Sequence, residues 1–294
     1  MPSILPQLVV NGLIAGSIYA LAACGFALVY YVLKFQYFSH GAIISTAAYM
    51  SFLFLNLMGL NYVLAGILAI IVSLIAVLLS NWLVYRPMRK RKATPTTTLI
   101  ASIVLLIFTS SLLLALFGSS TKTLALSNKN VTFDWGIFTI TAIQISILIL
   151  TLVLFFLLWL VMKKTRLGKA MRAIADNKDV AQIVGINPEK IYSYTFIISA
   201  VLGGVSGILI GLEQNLYPRM GVMIIIKGFI GSVIGGLGSV PGSIIGGLFI
   251  GLIENIGVWF LPTGYKDVNS FSIMLLFLIF RPQGILGVKM RDDS

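Results

Sequence analysis

The sequence predicts an all-α, polytopic membrane helix bundle, a single domain over 1–294, and three observations carry that prediction. Hydrophobic residues make up 58% of the 294-residue chain, charged residues only 10%, and mean hydropathy is +1.00. A soluble domain carries about 25% charged residues, so this chain has too little polar surface to cover itself in water. Apolar runs near 8–32, 41–58, 62–85, 97–117, 141–162 and 193–212 approach or exceed the roughly 20 residues a helix needs to cross a bilayer. The runs lack the alternation of barrel strands, and backbone groups in hydrocarbon must bond internally, which leaves helices.

Shorter apolar segments near 222–236, 242–260 and 268–280 bring the count to about nine, within a range of 8–10. The start, "MPSILPQLVV", has no basic stretch and no small-residue cleavage site, so it reads as an uncleaved first span. Cys24 is the single cysteine and lies inside that span, which excludes disulfides and thiolate metal sites.

Charge sets the topology. Fifteen of the 21 cations fall on three loops, at 86–92, at 163–190, and at Arg281, Lys289 and Arg291. The positive-inside rule puts these loops, and the C-terminus, in the cytoplasm. Three segments precede the first basic loop, so the N-terminus is expected outside, as is the loop with Lys122, Lys129 and Asp134. Topology and attraction to anionic membrane lipid account for the net charge of +12, with no nucleic acid required.

Two short echoes suggest an internal repeat. "HGAII" at 40–44 resembles "PGSII" at 241–245, and one span later "LVYRP" resembles "LIFRP". Interrupted helices at corresponding places in two repeats point to a transport site. The span count makes the repeats parallel, and a helix broken inside the membrane would make them inverted. Glycines four apart, at Gly12 and Gly16, Gly203, Gly207 and Gly211, Gly231 and Gly235, and Gly247 and Gly251, read as ridges for close helix packing. "GGLGSVPGS" at 235–243 instead interrupts a helix, and broken glycine-rich helices must face protein or a wet cavity.

Nothing supports catalysis. The chain has no carboxylate pair, no metal cluster, no nucleophile turn and no phosphate-cradling loop, so catalytic and metal-binding residues are both expected to be none. His40, the single histidine, has three readings: proton relay, substrate contact beside a helix break, or a ring that satisfies a free carbonyl there. Glu254 sits in mid-span, where it is expected to be paired, to line a cavity, or to be a neutral helix contact. Glu213 and Lys227 are expected near the outer surface, solvated.

The most informative polar stretch runs over 165–191. Asp176 is expected to cap a two-turn helix, supported by Asp179. Val180, Ile183 and Val184 form its apolar face, Gly185 takes the left-handed terminal position, and Pro188 blocks continuation. A helix this short needs a surface to dock on.

Over nearly its whole length the chain resembles the permease subunits of ABC importers for branched-chain amino acids. The resemblance rests on "NGLIAGSIYALAACGFALVY", "FSHGA", "TPTTTLIASI", "KGFIGSVIGGLGSVPGSIIGGLFIGLIE" and "LLFLIFRPQGILG". It implies a homologous second permease, two cytoplasmic ATPases and an extracytoplasmic amino-acid-binding protein. It also implies no cofactor on this chain, with ATP used by the partners; the short outer loop and the few residues after "RPQGILG" lead to the expectation of no fused ATPase or binding domain. By this resemblance Ala175, Asp176, Asn177, Asp179, Val180, Ala181, Ile183, Val184 and Gly185 belong to an ATPase-coupling loop, within about 163–192. Ser39, His40, Gly41, Gly238, Ser239, Pro241, Gly242 and Glu254 are the candidate substrate-pathway residues. A substrate carboxylate is expected at the positive end of a broken helix, with an apolar side chain near Ile43, Ile44, Ile244 and Ile245. The alternatives are a related permease for urea or short amides, and a self-powered secondary transporter.

Overall fold

The structure is a computed structural model that describes residues 4–124, 131–134, 136–260 and 262–287. Lys129, Lys289 and Arg291, which entered the charge reading, lie outside the described residues.

The helix α1 (Ile4–Leu33) is the axis of the bundle. Its 30 residues extend about 45 Å, and 89% of its most apolar stretch is buried. Small residues make that burial possible, because they let neighbouring backbones close on the helix from several sides. Around it stand α2 (His40–Phe52), α9 (Pro188–Glu213), α10 (Met220–Gly235) and α11 (Val240–Gly257). The outer ring is α3 (Tyr62–Ser80), α5 (Pro95–Phe117), α6 (Ala142–Lys164) and α12 (Lys266–Phe280). Its members α3, α5 and α6 have only 17–22% of their apolar stretches buried, and their exposed leucines, isoleucines and phenylalanines suit hydrocarbon.

The nine expected segments are all helical among the described residues. Among the described residues seven helices are long and apolar enough to span a membrane, while α10 and α12, with 16 and 15 residues, fall short. Two π-helical turns extend α2 over Leu53–Leu57 and α3 over Asn81–Tyr85, and α4 (Arg86–Lys90) continues the latter. At the end opposite the basic loops, β1 (Thr132–Asp134) pairs antiparallel with β2 (Thr139–Thr141), and Thr139 N donates to Gln7 Oε1 at 2.8 Å. Thr141 and Gln144 then form a reciprocal cap on α6.

The two echoed motifs begin helices at one level of α1. The His40 ring lies where a side chain on Gly25 would be, and the carbonyl oxygen of Val240 is 3.9 Å from Cys24 Sγ. Those α1 residues are eight or nine positions before its end, about 12 Å deep. Residues 34–39 fold back from that end. There Phe38 N donates to Ser102 Oγ at 3.2 Å, two turns inside α5. From this level α2 and α11 run in the same direction, away from the basic loops, as a parallel repeat requires. Their packing is crossed: Gly247 and Gly251 of α11 abut Ala20 and Gly16 of α1, while Gly221 of α10 abuts Gly41 and Ser45 of α2. The glycine ridges are packing surfaces here, as the sequence suggested.

Candidate functional site

At the start of α2 the free amides expected of a broken helix are already used. The backbone N–H groups of His40, Gly41 and Ala42 donate to the carbonyls of Tyr37, Phe38 and Ser39 at 3.2, 3.0 and 3.0 Å. Those three amides are therefore engaged within the turn and do not point free at a ligand. Ser39 instead bonds Tyr85 through its hydroxyl, at 2.6 Å. The Tyr85 ring packs against Phe35, Tyr37 and Phe196. Ser39 also lines a small, partly open cavity of about 50 Å³ with Tyr37, Ala42, Ile43, Thr46 and Val77.

His40 is wholly enclosed by protein. Its Nδ1 meets Ser199 Oγ at 3.1 Å, which corrects the expectation of a bond to a free carbonyl. The ring fills notches in α1 and α9 left by Gly25 and Gly203. The acids of the apolar segments, Glu213 and Glu254, which a proton relay through His40 would need, are engaged elsewhere: Glu213 accepts from Gln144 at 3.0 Å, and Glu254 pairs with Lys227. His40→Gln keeps a group that can bond Ser199, and uptake with unchanged KM is expected. His40→Ala should cost about 2–4 kcal/mol in thermal unfolding through the cavity it leaves.

At the start of α11, Ser239 accepts from Gly242 N at 3.2 Å, with Pro241 in the first turn. Gly236 and Gly238 take φ of +110° and +86°, a left-handed backbone that glycine adopts without a side-chain clash. The C-terminal "RPQGILG" segment folds onto this hairpin tip. Ile285 N and Leu286 N donate to the carbonyls of Ile234 and Gly235 at 2.8 and 2.9 Å, so they satisfy the end of α10.

Lys227 departs most from expectation. It is not a solvated interfacial cation: its ammonium lies 2.9 Å from Glu254 Oε2 and 3.1 Å from Asp267 Oδ1, and 5.0 Å from the centre of the Tyr19 ring. Ser270 donates to the other Glu254 oxygen. The pairing reading of Glu254 fits this geometry, and the cluster joins α10, α11 and α12.

At the basic end, α7 (Arg166–Asp176) is followed by α8 (Lys178–Ile183). The cap of α8 is Asn177, whose side chain accepts from Asp179 N and Val180 N at 3.0 and 3.1 Å. Asp176 is the last residue of α7, so its capping role is corrected. Gly185 has φ +86°, and Ile186 N donates back to Ala181 O at 3.0 Å, the closing bond expected after a short helix. Pro188 lies beyond the end of α8 and takes the first position of α9, where its missing N–H is not needed. Ala181 is buried, whereas Val180, Ile183 and Val184 are 55%, 84% and 69% exposed.

Interrupted helices around a glycine-lined axis, set inside a lipid-facing ring, are the architecture of a multi-pass membrane permease. The chain belongs to the family described as "Branched-chain amino acid transport system / permease component", whose sequence model matches residues 8–279. It is 35% identical to "High-affinity branched-chain amino acid transport system permease protein BraD" of Pseudomonas aeruginosa, over 96% of this chain and 95% of that protein. It is 34% identical to the corresponding protein LivH of Escherichia coli (strain K12), with the same coverage. A "probable branched-chain amino acid transport permease protein LivH" of Methanocaldococcus jannaschii is 29% identical over 95% of this chain and 91% of its own.

Proposed function

We propose that this chain is the membrane subunit of an ATP-driven importer that carries leucine, isoleucine and valine into the cell. It pairs with a homologous permease, two cytoplasmic ATPases bind at α8, and an extracytoplasmic binding protein delivers the substrate. The observation that carries the reading is the α8 knob: a capped helix with Val180, Ile183 and Val184 exposed at the end that holds the basic loops. A two-turn helix with a bare apolar face gains its stability from a partner.

The positive-inside rule puts that end, and with it residues 281–287, in the cytoplasm. ATP is consumed by the partners, and this chain binds no cofactor. Closure of the ATPases displaces α7, α8 and the start of α9, which opens the bundle to one side and then the other. The substrate path passes the cavity beside Ser39, where Ala42, Ile43 and Val77 suit a branched side chain and the hydroxyls of Tyr37, Ser39 and Thr46 suit its polar end. Gly41, Gly238, Ser239, Pro241 and Gly242 shape the two helix starts that move.

The test is leucine uptake by vesicles holding the full complex. Ile183→Asp with Val184→Asp should insert normally, lose ATPase co-purification, and reduce ATP-dependent uptake at least about tenfold, the loss of a desolvated apolar anchor. Normal uptake by that variant would overturn the docking role. Gradient-driven uptake by this subunit alone would overturn the proposed class.

A further inference from the structure

Arg89 stands at a junction that the docking reading does not use. It lies on α4, at the inner end of α3, and holds Glu189 with two bonds: Nε to Oε1 at 3.1 Å and Nη2 to Oε2 at 2.7 Å. Nη2 also donates to Asn81 Oδ1 at 3.0 Å, and the guanidinium lies 5.1 Å over the Tyr192 ring. Glu189 is in the first turn of α9, four residues past Gly185. Between them Ile186 is bonded back to α8, the Asn187 side chain caps α9, and Pro188 has little backbone freedom. A displacement of α8 therefore reaches Glu189 through a link with little slack.

On its other side Arg89 grips the π-helical turn Asn81–Tyr85. Asn81 donates on to Ser193 at 3.3 Å. Tyr85 closes the same turn, and its hydroxyl meets Ser39 at the start of α2. The Tyr85 ring stacks on Phe196 of α9 with centroids 5.4 Å apart, which keeps that hydroxyl at a set depth. One short chain of bonds thus runs from the knob to the wall of the Ser39 cavity: Glu189, Arg89, Asn81, the π turn, Tyr85, Ser39.

We propose that Arg89 is a positioning residue for transport, passing the movement of α8 to the mid-membrane start of α2. This rests on the reading of α8 as the ATPase dock. Three features favour transmission over mere fastening. The two-point guanidinium–carboxylate grip carries orientation as well as attraction. The pair is only partly buried, at 19% and 39% side-chain exposure, so it adds little to stability and more to geometry. A π turn is a local irregularity that α-helices keep mostly at functional places, and here it lies between the two grips.

The experiment measures leucine carried per ATP hydrolysed by the reconstituted complex. Arg89→Gln and Glu189→Gln should keep the wild-type rate of ATP hydrolysis and carry at least about fivefold less leucine per ATP, within the usual range of a coupling effect. Tyr85→Phe, which retains the ring stack and loses the hydroxyl bond to Ser39, should shift the ratio the same way. The exchange Arg89→Glu with Glu189→Arg should restore more than half of the wild-type ratio. A wild-type ratio in Arg89→Gln, loss of ATP hydrolysis along with uptake, or an exchange no better than the single variants would each overturn the relay. No ATP-dependent uptake by the wild-type complex would instead sink the docking reading, and the relay with it.

Discussion

Lys227→Met is expected to destabilise the bundle by about 3–5 kcal/mol, the cost of breaking a buried ion pair from one side. Glu254 is 1% exposed, and Ser270 still donates to it. Without the ammonium, a buried carboxylate in the last turn of α11 must stay charged among apolar helices, take up a proton, or pull the helices apart. Asp267, at the start of α12, is 42% exposed and can regain water, so most of the loss comes from Glu254. Adding Glu254→Gln should recover most of the stability, because an amide oxygen still accepts from Ser270 and carries no charge.

Cys24 provides the readout. It is free and fully buried, so the temperature at which it reacts with a thiol-specific dye reports opening of the bundle. A Lys227→Met variant that melts like the wild type, or a double variant no better than the single one, would show that the cluster does not hold α10, α11 and α12 together.

The charge cluster also shows where a one-dimensional reading stops. The long runs of α1, α5, α6 and α9 were readable because hydropathy reports directly on the solvent, and a lipid-crossing helix has little freedom to be anything else. The knob was readable for a similar reason. Glycine at 185, apolar residues at 180, 183 and 184, and a polar cap are local signals, and the structure moves the cap by one residue only. Asp176 and Asn177 have comparable capping chemistry, and the choice fell to Asn177 because α7 extends through Asp176.

Pairings across the chain left no such trace. Lys227 finds Glu254 27 positions on, and Arg89 finds Glu189 100 positions on; neither spacing belongs to any helix period. The closed amides at His40 were equally hidden. Whether a broken helix offers donors depends on the turn before it, and the carbonyls of 37–39 accept the amides of 40–42.

The glycines at the core should divide into two kinds under the same substitution. Gly25→Ala places a methyl group against the His40 ring, and Gly203→Ala does so from the other side. The ring is wholly buried and held by Ser199, so it cannot swing away, and overpacking of this sort costs about 1–3 kcal/mol or more. The obstruction is nevertheless a side chain. His40→Ala combined with Gly25→Ala should melt higher than Gly25→Ala alone, an interaction opposite in sign to the loss that His40→Ala causes by itself. Gly251→Ala meets the backbone of Gly16 and the carbonyl of Gly12, where α1 and α11 touch without side chains between them. No trimming of a neighbour can relieve that clash, so α11 must move off α1 and take the Glu254 cluster with it. The expected result is loss of folded protein, seen as Cys24 reacting at low temperature, and no rescue by any single second-site truncation. If His40→Ala failed to relieve Gly25→Ala, the ring would not be the wedge between α1 and α9. If Gly251→Ala were tolerated, the α1–α11 seam would be looser than the glycines imply, and the common level of the two helix starts would lose its anchor.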